Sequence, residues 1–258
     1  QNEEMLSTKE HSRDRVGFKY IYPVISRRSG GLSIGVNLNT NNACNWRCIY
    51  CQVPNLTRGS APPVNLNKLQ EELILFLNDI LYGDFYETEE IPQKLRQIKD
   101  IAISGNGEPT TADEFGKVIE IINSVLNKLD LTKKIKCVLI TNGSLVSRDY
   151  VKEGLKSLAL LNGEVWFKID SARPEGIELI NQISGTELSV LKRLLISTSH
   201  CTTYIQTCVF NFKGKEPSDL EITAYIDLIK KIVDKKIPVK GVLLYGVERP
   251  SLLPEAGN

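Results

Sequence analysis

Short apolar runs alternate along this chain with longer stretches in which apolar residues recur every three or four positions. The first run is Leu32 to Asn39. Ile34, Val36 and Leu38 alternate there with small or polar residues, which is the period of a strand. Asn39-Thr40-Asn41-Asn42 ends it as a loop. The apolar run Leu69, Leu73, Leu75, Leu77 and Ile80 then predicts a helix over about residues 66–82 that stops at Gly83. Ile101 to Ser104, Ile135 to Ile140, Val165 to Asp170, Tyr204 to Phe210 and Val239 to Tyr245 predict five further strands. Helical patterns lie between them. One follows Asp113 and carries Phe115, Val118, Ile119, Ile121, Ile122 and Val125; another runs from Ser147 through Leu158. A third lies near residues 186–197 and a fourth over about 218–235, with Ile222, Ile226, Ile229 and Ile232 on one face. Asp113 and Ser147 are candidate helix caps, because a short polar side chain satisfies the free backbone N–H groups of a first turn.

This order predicts an α/β fold built of βα repeats on a parallel sheet. Six units are fewer than the eight of a closed barrel, so the expected architecture is a partial (βα)6 barrel. Such folds bind ligands at the rim formed by the C-terminal ends of the strands. Residues 1–20 read as a flexible polar lead-in, 21–250 as the core domain and 251–258 as a tail. Pro250, Pro254 and Gly257 follow the last strand with no helical pattern, which reads as a truncated or unusual C-terminus.

Composition narrows the function classes. At 258 residues, with 41% hydrophobic and 24% charged residues, the chain has material for one large core. A net charge of +1 gives no global attraction to nucleic acid or to a membrane surface. No apolar run is long enough to span a bilayer, and the mostly polar first 20 residues do not read as a signal peptide. Six cysteines, three of them clustered, predict metal binding in a reducing, cytoplasmic compartment rather than a disulfide scaffold.

The cluster is Cys44-Asn45-Trp46-Arg47-Cys48-Ile49-Tyr50-Cys51, with the spacing CxxxCxxC just beyond the first predicted strand. Thiolates select zinc or iron–sulfur clusters. A zinc knuckle needs a fourth ligand, and His11 and His200 are both remote in sequence. Three thiolates suit a four-iron cluster with one iron left open for a small molecule. A second stretch, Gly105-Asn106-Gly107-Glu108-Pro109, follows the next strand. Its glycines let backbone approach a ligand, and its exposed carbonyls and Glu108 can receive an ammonium group. Thr141-Asn142-Gly143-Ser144 and Lys168-Ile169-Asp170-Ser171 end the following two strands.

These four motifs, in this order, resemble the radical S-adenosylmethionine (SAM) superfamily. The resemblance implies a partial barrel of the radical SAM type and a [4Fe-4S] cluster on Cys44, Cys48 and Cys51. In that superfamily SAM chelates the open iron through its amino and carboxylate groups, and the resemblance implies that the GGEP-like motif, here Gly105, Asn106, Gly107 and Glu108, would bind the methionyl amino group. Asp170 is expected to take the SAM ribose hydroxyls, with Ser171 and Asn142 beside it, and Tyr50 to pack near the adenine or shield the cluster. The resemblance further implies a flavodoxin or ferredoxin as the donor of the electron that would cleave SAM to methionine and a 5′-deoxyadenosyl radical. Ser26-Arg27-Arg28, Cys48 to Val53, Ser104 to Thr110, Ile140 to Leu145 and Tyr245 to Pro250 extend the resemblance to one branch. That branch contains the wyosine-forming tRNA enzymes, of the 4-demethylwyosine synthase type, and it implies a tRNA base as substrate. Those enzymes carry a second cluster on cysteines ahead of the triplet, whereas residues 1–43 here contain no cysteine. A small metabolite or a peptide is the alternative substrate, and a non-catalytic metal- or SAM-binding module is the alternative class.

The remaining charged and sulfur residues read more plainly. Cys137, Cys201 and Cys208 lie in or beside apolar strands and are expected as buried small hydrophobes. Arg27, Arg28, Arg47 and Arg58 flank the cysteines as candidate anion ligands or surface charge. Lys230, Lys231, Lys235 and Lys236 are expected on the solvated face of the last helix.

Overall fold

The computed structural model describes residues 17–26, 30–247 and 250–256. Arg27, Arg28, Glu248, Arg249 and most of the lead-in therefore lie outside the described residues. In chain order the elements are β1 (Ile21–Ser26), β2 (Gly31–Val36), β3 (Ala43–Cys44), β4 (Thr57–Arg58), α1 (Leu66–Tyr82) and α2 (Phe85–Thr88). Then come β5 (Ile98–Ile103), α3 (Phe115–Lys128), β6 (Lys136–Thr141), α4 (Asp149–Leu160) and β7 (Glu164–Lys168). The chain continues with α5 (Pro174–Asn181), α6 (Glu187–His200), β8 (Thr202–Val209), α7 (Asp219–Asp234) and β9 (Val239–Gly246).

One seven-stranded sheet runs in the order β1-β2-β5-β6-β7-β8-β9. All neighbours from β2 to β9 are parallel, so six parallel strands form the partial barrel expected from the sequence. β1 pairs antiparallel with β2 at the other edge. The apolar pattern did not predict β1, because Pro23 and the following Gly30-Gly31 read as turn formers. An edge position removes the objection, since proline's missing N–H then costs no ladder bond. β1 is held partly by α1: the buried Glu72 carboxylate accepts from the backbone N–H groups of Lys19 and Tyr20 at 2.9 and 2.8 Å.

α1 and α3 bury most of the face that their periodicity marks, although Leu75 of α1 is 59% exposed; on α7 only Ile232 of the four marked isoleucines is buried, and Ile222 and Ile226 are 47% and 46% exposed. α1 turns Leu69, Leu73, Phe76, Leu77 and Ile80 inward, starts on an Asn65 side-chain cap and stops at Gly83. α3 buries Val118, Ile119, Ile122 and Val125. The expected caps differ: α3 starts after Glu114 and α4 after Arg148, neither with a side-chain cap bond. Ser218 does cap α7, accepting from the Glu221 N–H. Lys230 and Lys231 pair with Asp227 and Glu187 on the surface, as a solvated face requires. α5 was missed altogether. It is an eight-residue helix opened by Pro174 at its first turn, too short to show a period. Its C-terminal tip reaches the cysteine loop.

Cys137, Cys201 and Cys208 are buried, as expected of small apolar side chains. No helix among the described residues is long and apolar enough to cross a membrane.

Candidate active site

The cysteine loop leaves the end of β2 and is closed at its base by the two-residue ladder of β3 and β4. Within it the Cys51 N–H donates to the Cys48 carbonyl (2.9 Å), folding the CxxC half into a turn. The tip of α5 supports the loop from one side. Arg47 N–H and Ile49 N–H donate to the carbonyls of Asn181 and Ile180 at 3.3 and 2.8 Å. Arg58 donates to the carbonyls of Asn45 and Gln182. Arg47 pairs with Glu255 and the Leu56 carbonyl, so both arginines near the cysteines brace the loop. The segment after β9 closes another side: Leu252 N–H and Ser251 Oγ both donate to the Cys51 carbonyl, and Leu253 packs on Val53 and Leu56.

All three loop cysteines are half-buried and free. Burial pushes the Cys44 thiol up to about 11 and the Cys48 thiol to about 12, so metal binding must displace their protons. Asn181 Nδ2 donates to Cys48 Sγ at 3.3 Å. Among the described residues no three His, Cys, Asp or Glu side chains converge on a single ion. Three ligands that each hold a different iron of one cluster stand farther apart than ligands around one ion.

The GNGEP turn lies against this loop so closely that only glycine fits. A Cβ on Gly107 would fall 2.0 Å from the Ala43 carbonyl oxygen, and one on Gly105 would fall 2.2 Å from Asn37 Oδ1. Asn37 Oδ1 accepts from the Asn106 N–H (3.0 Å), and Asn106 Nδ2 donates to Asn42 Oδ1 (2.6 Å). That leaves Asn106 Oδ1 buried with no donor, as is Asn39 Oδ1. A buried acceptor without a partner is costly. An ammonium group is the kind of donor Asn106 lacks, so the residues present fit the amino group of SAM.

Glu108 departs from the expectation. Its carboxylate is turned inward, 3% exposed, rather than toward a ligand. Oε1 accepts from Thr110 N–H, Thr110 Oγ1 and Thr141 Oγ1 at 3.2, 2.6 and 2.6 Å. Oε2 accepts from Asn142 N–H at 2.7 Å. Burial raises its pKa above the ordinary carboxylate range, although all these donors oppose the shift. Glu108 therefore straps the end of β5 to the end of β6.

Asn142 meets the cysteine loop: its Nδ2 donates to Asn45 Oδ1 (2.9 Å), and Asn45 Nδ2 donates to Ser144 Oγ (2.7 Å). Asp170 reaches the rim, but its oxygens are engaged by the protein. Oδ2 accepts from the Tyr50 hydroxyl (2.6 Å) and Asn181 Nδ2 (2.9 Å), and Oδ1 accepts from Cys208 N–H (3.0 Å). A site free to take two ribose hydroxyls is not what the geometry presents. The Tyr50 ring meets Phe210 edge-on, with centroids 5.5 Å apart. Ser171 is a correction. It is buried, and its hydroxyl donates to Glu221 of α7 (2.6 Å), because the chain turns outward after Asp170 to begin α5.

Sequence reasoning missed Asn37, Asn39, Asn42, Asn45 and Asn181. The asparagine run before Cys44 was its only signal, and it read as a loop. Also missed was the group on the inner faces of β7, β8 and β9: Lys168, Gln206, Cys208 and Tyr245.

A six-stranded parallel partial barrel with a three-cysteine loop against a glycine-rich turn at its rim defines the class of radical SAM enzymes. Residues 38–194 match the Radical SAM superfamily, and the chain belongs to it. Its fold is shared with the structure of TYW1 with a lysine-pyruvate adduct bound: TM-score 0.56 and 18% identity, covering 98% of this chain and 74% of that one. It is shared also with anSMEcpe with bound AdoMet: TM-score 0.52 and 17% identity, covering 87% and 55%. In sequence the chain is 26% identical over 181 residues to UPF0026 protein slr1464 of Synechocystis sp., covering 66% of this chain and 56% of that protein. It is 25% identical over 181 residues to a protein named GTPase Obg of Brachyspira hyodysenteriae, covering 70% and 23%. The chain thus spans between about a quarter and just over half of the length of these relatives. Membership implies a [4Fe-4S] cluster, SAM and radical chemistry that depends on them. Radical SAM enzymes generally need a reducing partner such as a flavodoxin or ferredoxin.

Proposed function

We propose that residues 21–250 form the core of an enzyme that holds the cluster on Cys44, Cys48 and Cys51 and abstracts a hydrogen atom from its substrate. When bound, the cluster and SAM supply the electron transfer and the 5′-deoxyadenosyl radical. The chain does the positioning. Gly105 and Gly107 bring backbone up to the amino-acid end of SAM, and Asn106 Oδ1 accepts from its amino group. Glu108 acts on that end indirectly, by fixing the turn and Asn142. Asp170 holds Tyr50 and Asn181, and through Asn181 it orients an N–H toward the Cys48 sulfur. Tyr50 and Phe210 keep water from that side of the loop.

One observation carries this reading. The cysteine loop, the GNGEP turn and the ends of β6 and β7 join in a single hydrogen-bond network through Asn42, Asn45 and Tyr50. Anaerobic reconstitution followed by reduction in the presence of SAM tests it, with release of 5′-deoxyadenosine as the expected result. Iron uptake with no SAM cleavage under any reductant would leave only a binding module. A flavodoxin or ferredoxin is the electron donor in this reading, and the cytoplasm the compartment. The reading that the substrate is a tRNA base rests on the likeness to the wyosine-forming branch. A net charge of +1 provides little grip on phosphates, and salt-dependent tRNA binding is the measurement that tests it.

A further inference from the structure

The loops that leave the C-terminal ends of four parallel strands are taken up by the site. The loop after β2 carries the cysteines, those after β5 and β6 carry the GNGEP turn and Asn142, and the one after β7 carries Asp170. The loop after β8, residues 210–218, touches the site at its root. There the Phe210 ring meets Tyr50, and the Cys208 N–H at the end of β8 donates to Asp170 Oδ1 (3.0 Å).

Beyond that root the loop folds into a finger. Phe212 N–H donates to the Lys215 carbonyl (2.9 Å) and Lys215 N–H to the Phe212 carbonyl (3.0 Å), with only Lys213 and Gly214 between them. Both central residues have positive φ, 50° and 73°, as a tight type I′ turn requires. Asparagine or glycine favours the first of these positions. A lysine there carries backbone strain of the kind that gathers at functional sites. The tip stands in solvent: Lys213, Gly214 and Lys215 are exposed, Phe212 is half-buried, and a Cβ on Gly214 would meet nothing within 4 Å. The Lys213 ammonium lies 5.2 Å from the Phe212 ring centroid. Among the described residues neither lysine is ion-paired to a carboxylate, and Glu216 beside them is exposed. A rigid turn thus holds one aromatic ring and two unpaired cations at the rim, next to the loop that carries the cysteines.

An exposed, convex finger cannot enclose a small ligand, which binds in a cleft. It suits an extended polyanion whose phosphates meet the ammonium groups while a base stacks on the ring. We propose that Phe212, Lys213 and Lys215 grip single-stranded nucleic acid and hold it at the rim as substrate. This inference rests on the enzymatic reading above and deepens it by naming the substrate class. A net charge of +1 gives no general attraction to phosphates, so a local grip is the form such binding takes here. An acidic protein would also meet the lysines, but it offers no stack of planar rings to Phe212.

The test uses the reconstituted, SAM-loaded protein and the fluorescence anisotropy of a labelled single-stranded RNA of about 12 nucleotides, measured at several salt concentrations. Phe212→Ala should weaken binding about five- to a hundredfold, the loss of one stacked base. Lys213→Asn keeps a residue suited to the turn and removes one charge; Lys215→Gln removes the other. Each should reduce the slope of log affinity against log salt by about 0.7. Lys240→Gln, at the far end of the barrel where β9 begins, should behave like the parent. Iron content and melting temperature, read on every variant, identify any that fails to fold. The proposal is overturned if the parent does not bind the RNA, if Phe212→Ala binds it like the parent, if neither lysine substitution moves the salt slope, or if Lys240→Gln loses as much. It is overturned equally if polyglutamate competes as well as unlabelled RNA, since the partner is then an acidic protein. SAM cleavage with a chemical reductant is read in parallel: a parent that cleaves SAM but binds no RNA refutes the grip and leaves the enzymatic reading standing.

Discussion

Replacing Glu108 by alanine asks whether this carboxylate is a ligand of SAM or a strut. Four donors converge on it, from Thr110 N–H, Thr110 Oγ1, Thr141 Oγ1 and Asn142 N–H. The two hydroxyls can rotate to other acceptors, but the two backbone N–H groups cannot. Each buried donor left unpaired costs about 1–3 kcal/mol, so the loss should be about 4 kcal/mol. At roughly 2–4 °C per kcal/mol for a chain of this size, the melting temperature should fall by about 8–16 °C. The pH dependence adds a sign. Burial raises the folded-state pKa of this carboxyl above its unfolded value, so its proton linkage stabilises the fold fully below the unfolded pKa, and this contribution is lost as pH rises through the folded one. The gap in melting temperature between parent and variant should therefore widen as pH is lowered from neutral toward 5. Differential scanning fluorimetry across that range measures both effects. An unchanged melting temperature together with a large loss of SAM affinity would refute the strut and place the carboxylate on the ligand.

The other expectations are more direct. Reconstituted parent should hold about four irons per chain, and Cys48→Ala should lose the cluster absorbance; zinc without iron uptake would contradict the assignment. Gly107→Ala has no room for its Cβ, 2.0 Å from the Ala43 carbonyl oxygen, so SAM binding should drop at least tenfold in equilibrium dialysis, and parent-like affinity would show that the turn does not touch the cofactor. Asn181→Leu removes the N–H donated to the Cys48 sulfur. The reduced, more negative cluster then loses stabilisation, so its potential, followed by electron paramagnetic resonance during a redox titration, should fall; an unchanged or higher potential would argue against that bond. Asp170→Asn sets an amide against donors from Tyr50, Asn181 and Cys208, and a mispaired buried donor should lower stability by about 1–3 kcal/mol. Weakened SAM binding with no stability change would return Asp170 to the ribose.

The sequence by itself determined the six parallel strands, most of the helices between them and the loop that carries the cysteines. These are local properties: strand and helix periods are written in neighbouring residues, and both CxxxCxxC and the glycine-rich turn occupy single stretches of chain. β1 and α5 escaped because one is a proline-containing edge strand and the other is too short to display a period. Only the tertiary structure decided which polar atoms remain free for a ligand. Glu108 looked like the acceptor for an ammonium group, yet Thr110, Thr141 and Asn142 claim its oxygens, while Asn106 beside it keeps one buried and unclaimed. Asn181 lies 133 positions from the cysteine whose sulfur it contacts, and Lys168 meets the tyrosine ring of a loop more than a hundred residues earlier. A hydrogen-bond partner is chosen by proximity in space. No local pattern encodes that proximity, so the site's chemistry became visible only when the barrel brought its strand ends together.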